Sequence, residues 1–110
     1  MAHRHLTINI HGTKRTLQLR PLFKRPAGGT WIDGCVAGYR FNALAFGQHA
    51  MCPTYELNGS RISKLWIQRL QDQRTVFNWD RGLDVQATDA EVDALIRELC
   101  AVLAEIAYPH

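Results

Sequence analysis

The chain has 110 residues, 46% hydrophobic and 9% aromatic, which describes one globular domain (1–110) and excludes a disordered or fibrous protein. No apolar stretch approaches the ~20 residues of a membrane-spanning helix, so no membrane association is expected. The net charge of +3 hides a division: residues 1–82 hold twelve Lys/Arg against four acids, and residues 83–110 hold Arg97 against six acids. A basic part and an acidic part follow, and the basic part is expected to attract anionic partners.

In chain order, Met1-Ala2-His3-Arg4-His5 leads directly into alternating residues with no apolar signal core. The cysteines Cys35, Cys52 and Cys100 are odd in number and scattered, which argues against a disulfide framework. Both features point to a reducing, cytoplasmic setting. Leu6-Thr7-Ile8-Asn9-Ile10 and Arg15-Thr16-Leu17-Gln18-Leu19 alternate cleanly. A two-residue turn at Gly12-Thr13 would pair Ile10 with Arg15, Ile8 with Leu17 and Leu6 with Leu19. Residues 21–29, with two prolines, two glycines, Lys24 and Arg25, read as a basic loop.

Residues 31–36 and 39–46 form a second predicted hairpin turned at Ala37-Gly38. Alternation puts Ile32, Gly34, Val36, Tyr39, Phe41 and Ala43 on one face, and Trp31, Asp33, Cys35, Arg40, Asn42 and Leu44 on the other. Residues 47–60 show no steady period and end in Asn58-Gly59, a turn signal, so they read as a long irregular connection.

A third hairpin spans residues 61–82. With Gln71-Asp72-Gln73 as a three-residue loop, Ile67 faces Phe77, Leu65 faces Trp79, Trp66 faces Asn78, Gln68 faces Val76 and Lys64 faces Asp80. A two-residue loop would break the apolar face, so parity selects the longer one. Leu65, Ile67, Phe77 and Trp79 then belong to the core, while Lys64, Trp66 and Asp80 fall on the second face.

The C-terminal segment carries Val92, Leu95, Ile96, Leu99, Val102, Leu103 and Ile106 at helical spacing. Thr88 and Glu91 match a capping box, and Tyr108-Pro109 ends the pattern, giving an acidic amphipathic helix over about 89–107. The predicted fold is α+β: a mostly antiparallel twisted sheet of about five to six strands with this helix packed on one face. A single helix of ~28 Å covers one sheet face and leaves the other open.

That open face supplies the candidate site. An indole on a basic sheet is a stacking platform for a base, with Lys or Arg for phosphates, and the expected ligand-binding residues are Trp31, Arg40, Lys64, Trp66, Asp80 and Arg81, with Lys24 and Arg25 from the loop. The alternative for Trp66 is packing under the 47–60 loop or in a dimer contact. For residues 78–82 the alternative is an Asp80 pair with Lys64 and a turn at Gly82. His49/Cys52 and His3/His5 do not supply two convincing ligand pairs, so no metal and no cofactor are expected. Nucleophile elbow, phosphate loop and HExxH are absent, and no histidine is placed in sequence to activate Ser63, so no catalytic residue is assigned. An enzymatic reading rests on the polar set Asp33, Asn42, Asp80 and Arg81.

The run Tyr55-Glu56-Leu57-Asn58-Gly59-Ser60-Arg61-Ile62-Ser63-Lys64-Leu65, followed by Asn78-Trp79-Asp80-Arg81-Gly82, resembles a family of small hypothetical proteins met in phages and prophages. Their pattern is a Tyr-Gly-Ile-Asn-Gly-Gly-Arg-Ile-Ser-Lys-Leu type run and then an aromatic-Asp-Arg-Gly turn. The resemblance spans mainly residues 30–85, and Glu56 and Ser60 stand where the pattern has glycines. The family carries no assigned activity, so the resemblance implies a context: a small non-enzymatic protein in the host cytoplasm that inhibits or sequesters by binding. The expected partner is an acidic host protein, a nucleotide or a nucleic acid. The second expectation is a homodimer, structural or accessory in role, formed through the uncovered sheet face.

Overall fold

The computed structural model describes residues 4–109, so His3 and the first residues of the chain lie outside the described residues. Among the described residues eight strands form one sheet: β1 (Arg4–Ile10), β2 (Thr13–Leu19), β3 (Phe23–Lys24), β4 (Thr30–Val36), β5 (Tyr39–Ala45), β6 (Ile62–Arg69), β7 (Arg74–Asp80) and β8 (Leu83–Val85). A helix, α1 (Ala90–Ala107), follows. Strand order is β1-β2-β4-β5-β6-β7-β8 with β3 alongside β4, and each described pairing is antiparallel.

The count of eight corrects the expected five to six. The two added strands, β3 and β8, have two and three residues, too few for an alternation to show. β2 and β3 share one edge of β4: β2 pairs with Gly34 and Cys35, and β3 pairs with Thr30 and Trp31. Pro21 separates them, having no N–H to donate to the ladder. Close approach at this edge requires glycine, since a Cβ on Gly34 would lie 2.5 Å from the Gln18 carbonyl oxygen.

The second hairpin has the expected register, with Val36 opposite Tyr39 and positive φ at Ala37 and Gly38 (52° and 84°). The first hairpin turns one residue earlier than predicted. His11 and Gly12 form the turn at φ 53° and 76°, the two positive values a type I′ turn needs, and Ile10 pairs with Thr13, Ile8 with Arg15 and Leu6 with Leu17. A turn displaced by one residue shifts the partners by two, so the faces keep their parity. His11 also anchors the turn, its Nε2 donating to the Ala90 carbonyl at 3.1 Å.

In the third hairpin Lys64, Leu65, Trp66 and Ile67 face Asp80, Trp79, Asn78 and Phe77 as expected. The loop has four residues, 70–73, because Asp72 closes it, accepting from Arg69 and from the Arg74 amide. A bulge at Val76 absorbs the extra residue, so Gln68 faces Thr75 instead of Val76, and Val76 turns into the core.

Asp89, not Thr88, caps α1, its carboxylate accepting from the Val92 amide at 2.9 Å. Val92, Leu95, Ile96, Leu99 and Leu103 bury their side chains in one cluster with Leu17, Leu19, Ile32, Phe41, Leu65 and Ile67. Among the described residues no helix lies on the opposite sheet face. Among the described residues no helix is long and apolar enough to cross a membrane.

Candidate functional site

Strand pairing sorts the open face into three rows running across β4, β5, β6 and β7. The first is Trp31–Leu44–Lys64–Asp80, the second Asp33–Asn42–Trp66–Asn78, and the third Cys35–Arg40–Gln68–Thr75. Trp31, Arg40, Lys64, Trp66 and Asp80 therefore share this face, as parity required. They are not one constellation, because the rows partition them.

Trp66 is half-buried and engaged: its indole N–H donates to Thr75 Oγ1 at 3.1 Å, and the Arg40 guanidinium lies 6.0 Å from its ring centroid. Arg40 and Arg20 both approach Asp33, at 3.8 and 3.3 Å. Asp33 Oδ1 is buried without a hydrogen bond among the described residues. Lys64 and Arg81 share Asp80, at 3.7 and 3.9 Å. The set Asp33, Asn42, Asp80 and Arg81 thus spans two rows and a turn. Trp79 points to the other face, where its indole N–H donates to the Tyr55 carbonyl at 3.2 Å.

Beyond the first row the sheet end opens into a cavity of about 630 Å³. Of the predicted residues, Arg25, Lys64 and Arg81 line it; Trp31, Arg40, Trp66, Asp80 and Lys24 do not. Sequence reasoning missed the rest of its wall: Leu44 and Phe46 as an apolar surface, Tyr55, Arg61 and Ser63, and the pair His49 and Glu56. The missing signal was topological, since these residues come from β5, the 47–60 loop and the start of β6.

Glu56 organises that loop. Its side chain is 4% exposed and accepts from His49 Nδ1 at 2.9 Å, from the Arg61 amide at 2.7 Å and from the Ala50 amide. Burial alone would raise its pKa, but the three hydrogen bonds prevail and hold the carboxyl below its ordinary value. His49 donates through Nδ1, so its tautomer is fixed when neutral, with Nε2 left as the basic nitrogen. The same loop contains two short 3₁₀ turns, Pro53–Tyr55 and Leu57–Gly59.

Backbone geometry around the cavity is unusual for the residues concerned. Arg61 and Arg81 both have positive φ, 66° and 54°. Between Leu44 and Ala45 the β5–β6 register shifts, so Ser63 is a bulge residue, and its carbonyl accepts from the Arg81 amide at 2.8 Å. Bulges and left-handed non-glycine residues re-aim side chains and gather at binding sites. Arg61 is tied down, bonding Glu105 at 2.8 Å and the Gly47 carbonyl at 3.2 Å. The arrangement can hold an anion over an apolar surface, and His49 can hold or move a proton there.

The cysteines lie apart from this chemistry. Burial pushes the Cys100 thiol up to about 11, so it stays protonated at neutral pH and behaves as a small apolar group. Cys52 lies 3.2 Å from the Thr54 hydroxyl while His49 turns to Glu56. Among the described residues no three His, Cys, Asp or Glu gather as metal ligands.

No curated protein and no solved structure matches the chain. One family model does, over residues 30–104, which takes in β4 to β8 and most of α1. The match leaves β1, β2, β3 and the Arg25 side of the cavity outside, and includes the Glu56, Arg61, Lys64 and Arg81 side. The chain belongs to the family described as Domain of unknown function (DUF7678).

Proposed function

We propose that this is a small, non-enzymatic binding protein of phage or prophage type that works in the host cytoplasm by engaging an anionic partner. Its basic, tryptophan-bearing sheet face is the working surface, and the cavity end of that face is where binding is strongest. One observation carries the reading: Arg25, Lys64 and Arg81 converge on the cavity while Asp80 alone pairs with them among the described residues. Lys64 and Arg81 share that one carboxylate and Arg25 has none, so these three cations keep an excess of two positive charges, in a concave site whose walls focus the field.

The test is fluorescence anisotropy with a labelled oligothymidylate as the polyanion, at several salt concentrations. Three phosphate contacts predict a log–log slope of about −2, hence a loss of about 20-fold between roughly 50 and 200 mM salt. The Lys64→Ala/Arg81→Ala double variant should lower both affinity and slope. Salt-independent binding, or failure to bind this probe, heparin and adenosine monophosphate alike, overturns the proposal.

A second reading, favoured by the buried Glu56 holding His49 in a cavity whose wall also includes Ser63, is an enzyme acting on a small phosphate-bearing molecule. Mass spectrometry of adenosine monophosphate recovered after incubation with the protein decides between the two, since a binding module returns it unchanged.

A further inference from the structure

We propose that the cavity takes a small phosphate-bearing molecule with a flat unsaturated ring, of the mononucleotide class. This inference rests on the reading of the basic end as an anion site and adds what else the ligand must carry. The cavity, at about 630 Å³, falls within the size range of small-molecule sites.

Strand order places its two chemistries. β5 and its extension bring Leu44 and Phe46, and these lie between Arg25 on the β3–β4 side and Lys64 with Arg81 on the β6–β7 side. The cations therefore flank an apolar strip. Gly29 fixes that strip: a Cβ at its position would come within 3.0 Å of both Leu44 Cδ1 and Phe46 Cε1, so backbone lies flat against the two side chains. Tyr55, itself 47% exposed, adds a second aromatic wall. Leu44 is 2% exposed and backs the wall, so the surface a ligand would meet is Phe46 and Tyr55, which inorganic phosphate would leave idle.

Arg25 is prepared for an anion. The turn that carries it closes through Arg25 N to the Gly29 carbonyl at 2.8 Å, and Arg25 Nε donates to the Gly28 carbonyl at 2.8 Å. The two terminal guanidinium nitrogens have no acid partner among the described residues. A guanidinium fixed in this way offers planar, forked donors to phosphate with little ordering left to do.

A polymer of bases fits the geometry less well. It would need an open stacking ring along the face, yet Trp66 has Arg40 beside its ring and its N–H engaged by Thr75, and neither Trp66 nor Trp31 lines the cavity. The aromatic surface that stands next to Arg25, Lys64 and Arg81 is inside the cavity.

The experiment is amide NMR titration of the full chain with adenosine monophosphate, inorganic phosphate, adenosine and oligothymidylate in parallel. Adenosine monophosphate should bind at least about tenfold more tightly than phosphate or adenosine, with shifts centred on Gly28, Gly29, Gly47 and Ser63. Arg25→Ala, in an exposed turn, should weaken the nucleotide about tenfold and leave adenosine unchanged, as expected for one charged hydrogen-bonding group. Equal affinity for phosphate and nucleotide overturns the ring slot, and shifts centred on Trp31 and Trp66 overturn the location. If oligothymidylate binds with salt dependence and the nucleotide does not, this inference fails while the anion-site reading stands. If nothing binds, both fail.

Discussion

Strand β6 carries both sides of the molecule. Ile62, Leu65 and Ile67 are fully buried on the helix side, whereas Ser63, Lys64, Trp66 and Gln68 keep intermediate exposure on the other. The covered face is held by apolar burial, which is non-directional and sums over many contacts. The open face is held by pairs: Trp66 with Thr75, Lys64 with Asp80, Asn78 with Asp84. Each such pair at half-exposed positions is worth well under the burial of one core side chain. Stability therefore resides mainly on one face, and the other is the one to which the proposed recognition is assigned.

The sharpest way to break that comparison is a truncation on each side. Phe41 is completely buried under α1, and Phe41→Ala should cost about 3–5 kcal/mol, a large share of the total for a domain of this size. Urea unfolding should show a lowered midpoint at unchanged slope, if the variant folds at all. A loss below about 1 kcal/mol would mean that the helix-side core does not carry the fold.

Glu56 comes next, because it belongs to neither face and ties the 47–60 loop to the start of β6. Glu56→Gln retains the size but removes a charged acceptor of three hydrogen bonds, at a cost of about 1–3 kcal/mol. The pH dependence has a definite sign. The folded carboxyl titrates below its unfolded value, so its contribution is present above the ordinary carboxylate range and is lost as pH falls through the folded pKa. Wild type should lose stability relative to Glu56→Gln across that acid window. Parallel curves for the two proteins in acid urea titrations would remove Glu56 from the role.

What the sequence disclosed follows the same division. Alternation and helical spacing were enough to sort Leu65, Ile67, Phe41 and the α1 stripe onto the covered face, because burial imposes a period on the chain. Parity survived even where pairing slipped, as in the first hairpin, since the turn moved by one residue and the partners by two. It also placed Trp31, Arg40, Lys64, Trp66 and Asp80 together on the open face. Row order on that face depends on which strands are neighbours, and strand order leaves no period in a sequence. The cavity was less legible still. His49 bonds Glu56 and both share the cavity wall with Ser63, an arrangement shaped by an αL residue at Arg61 and a bulge at Ser63, and neither geometry is marked by glycine.

The smallest effect on stability is expected where the effect on binding is largest. Lys64 and Asp80 approach to 3.7 Å with side chains 38% and 53% exposed, so solvent screens the pair and its worth is about 0.2–1 kcal/mol at most. Lys64→Ala should therefore unfold within about 0.5 kcal/mol of wild type, and Asp80 should then turn wholly to Arg81, which lies 3.9 Å away. The same change removes one cation from the cavity rim and leaves a second more firmly paired. Polyanion affinity should drop by more than the loss of a single contact, and its salt slope should become shallower by about 0.7 or more per lost phosphate contact. A variant that unfolds early, or one that binds with the wild-type slope, would show that Lys64 belongs to the scaffold and that the open face is only a surface.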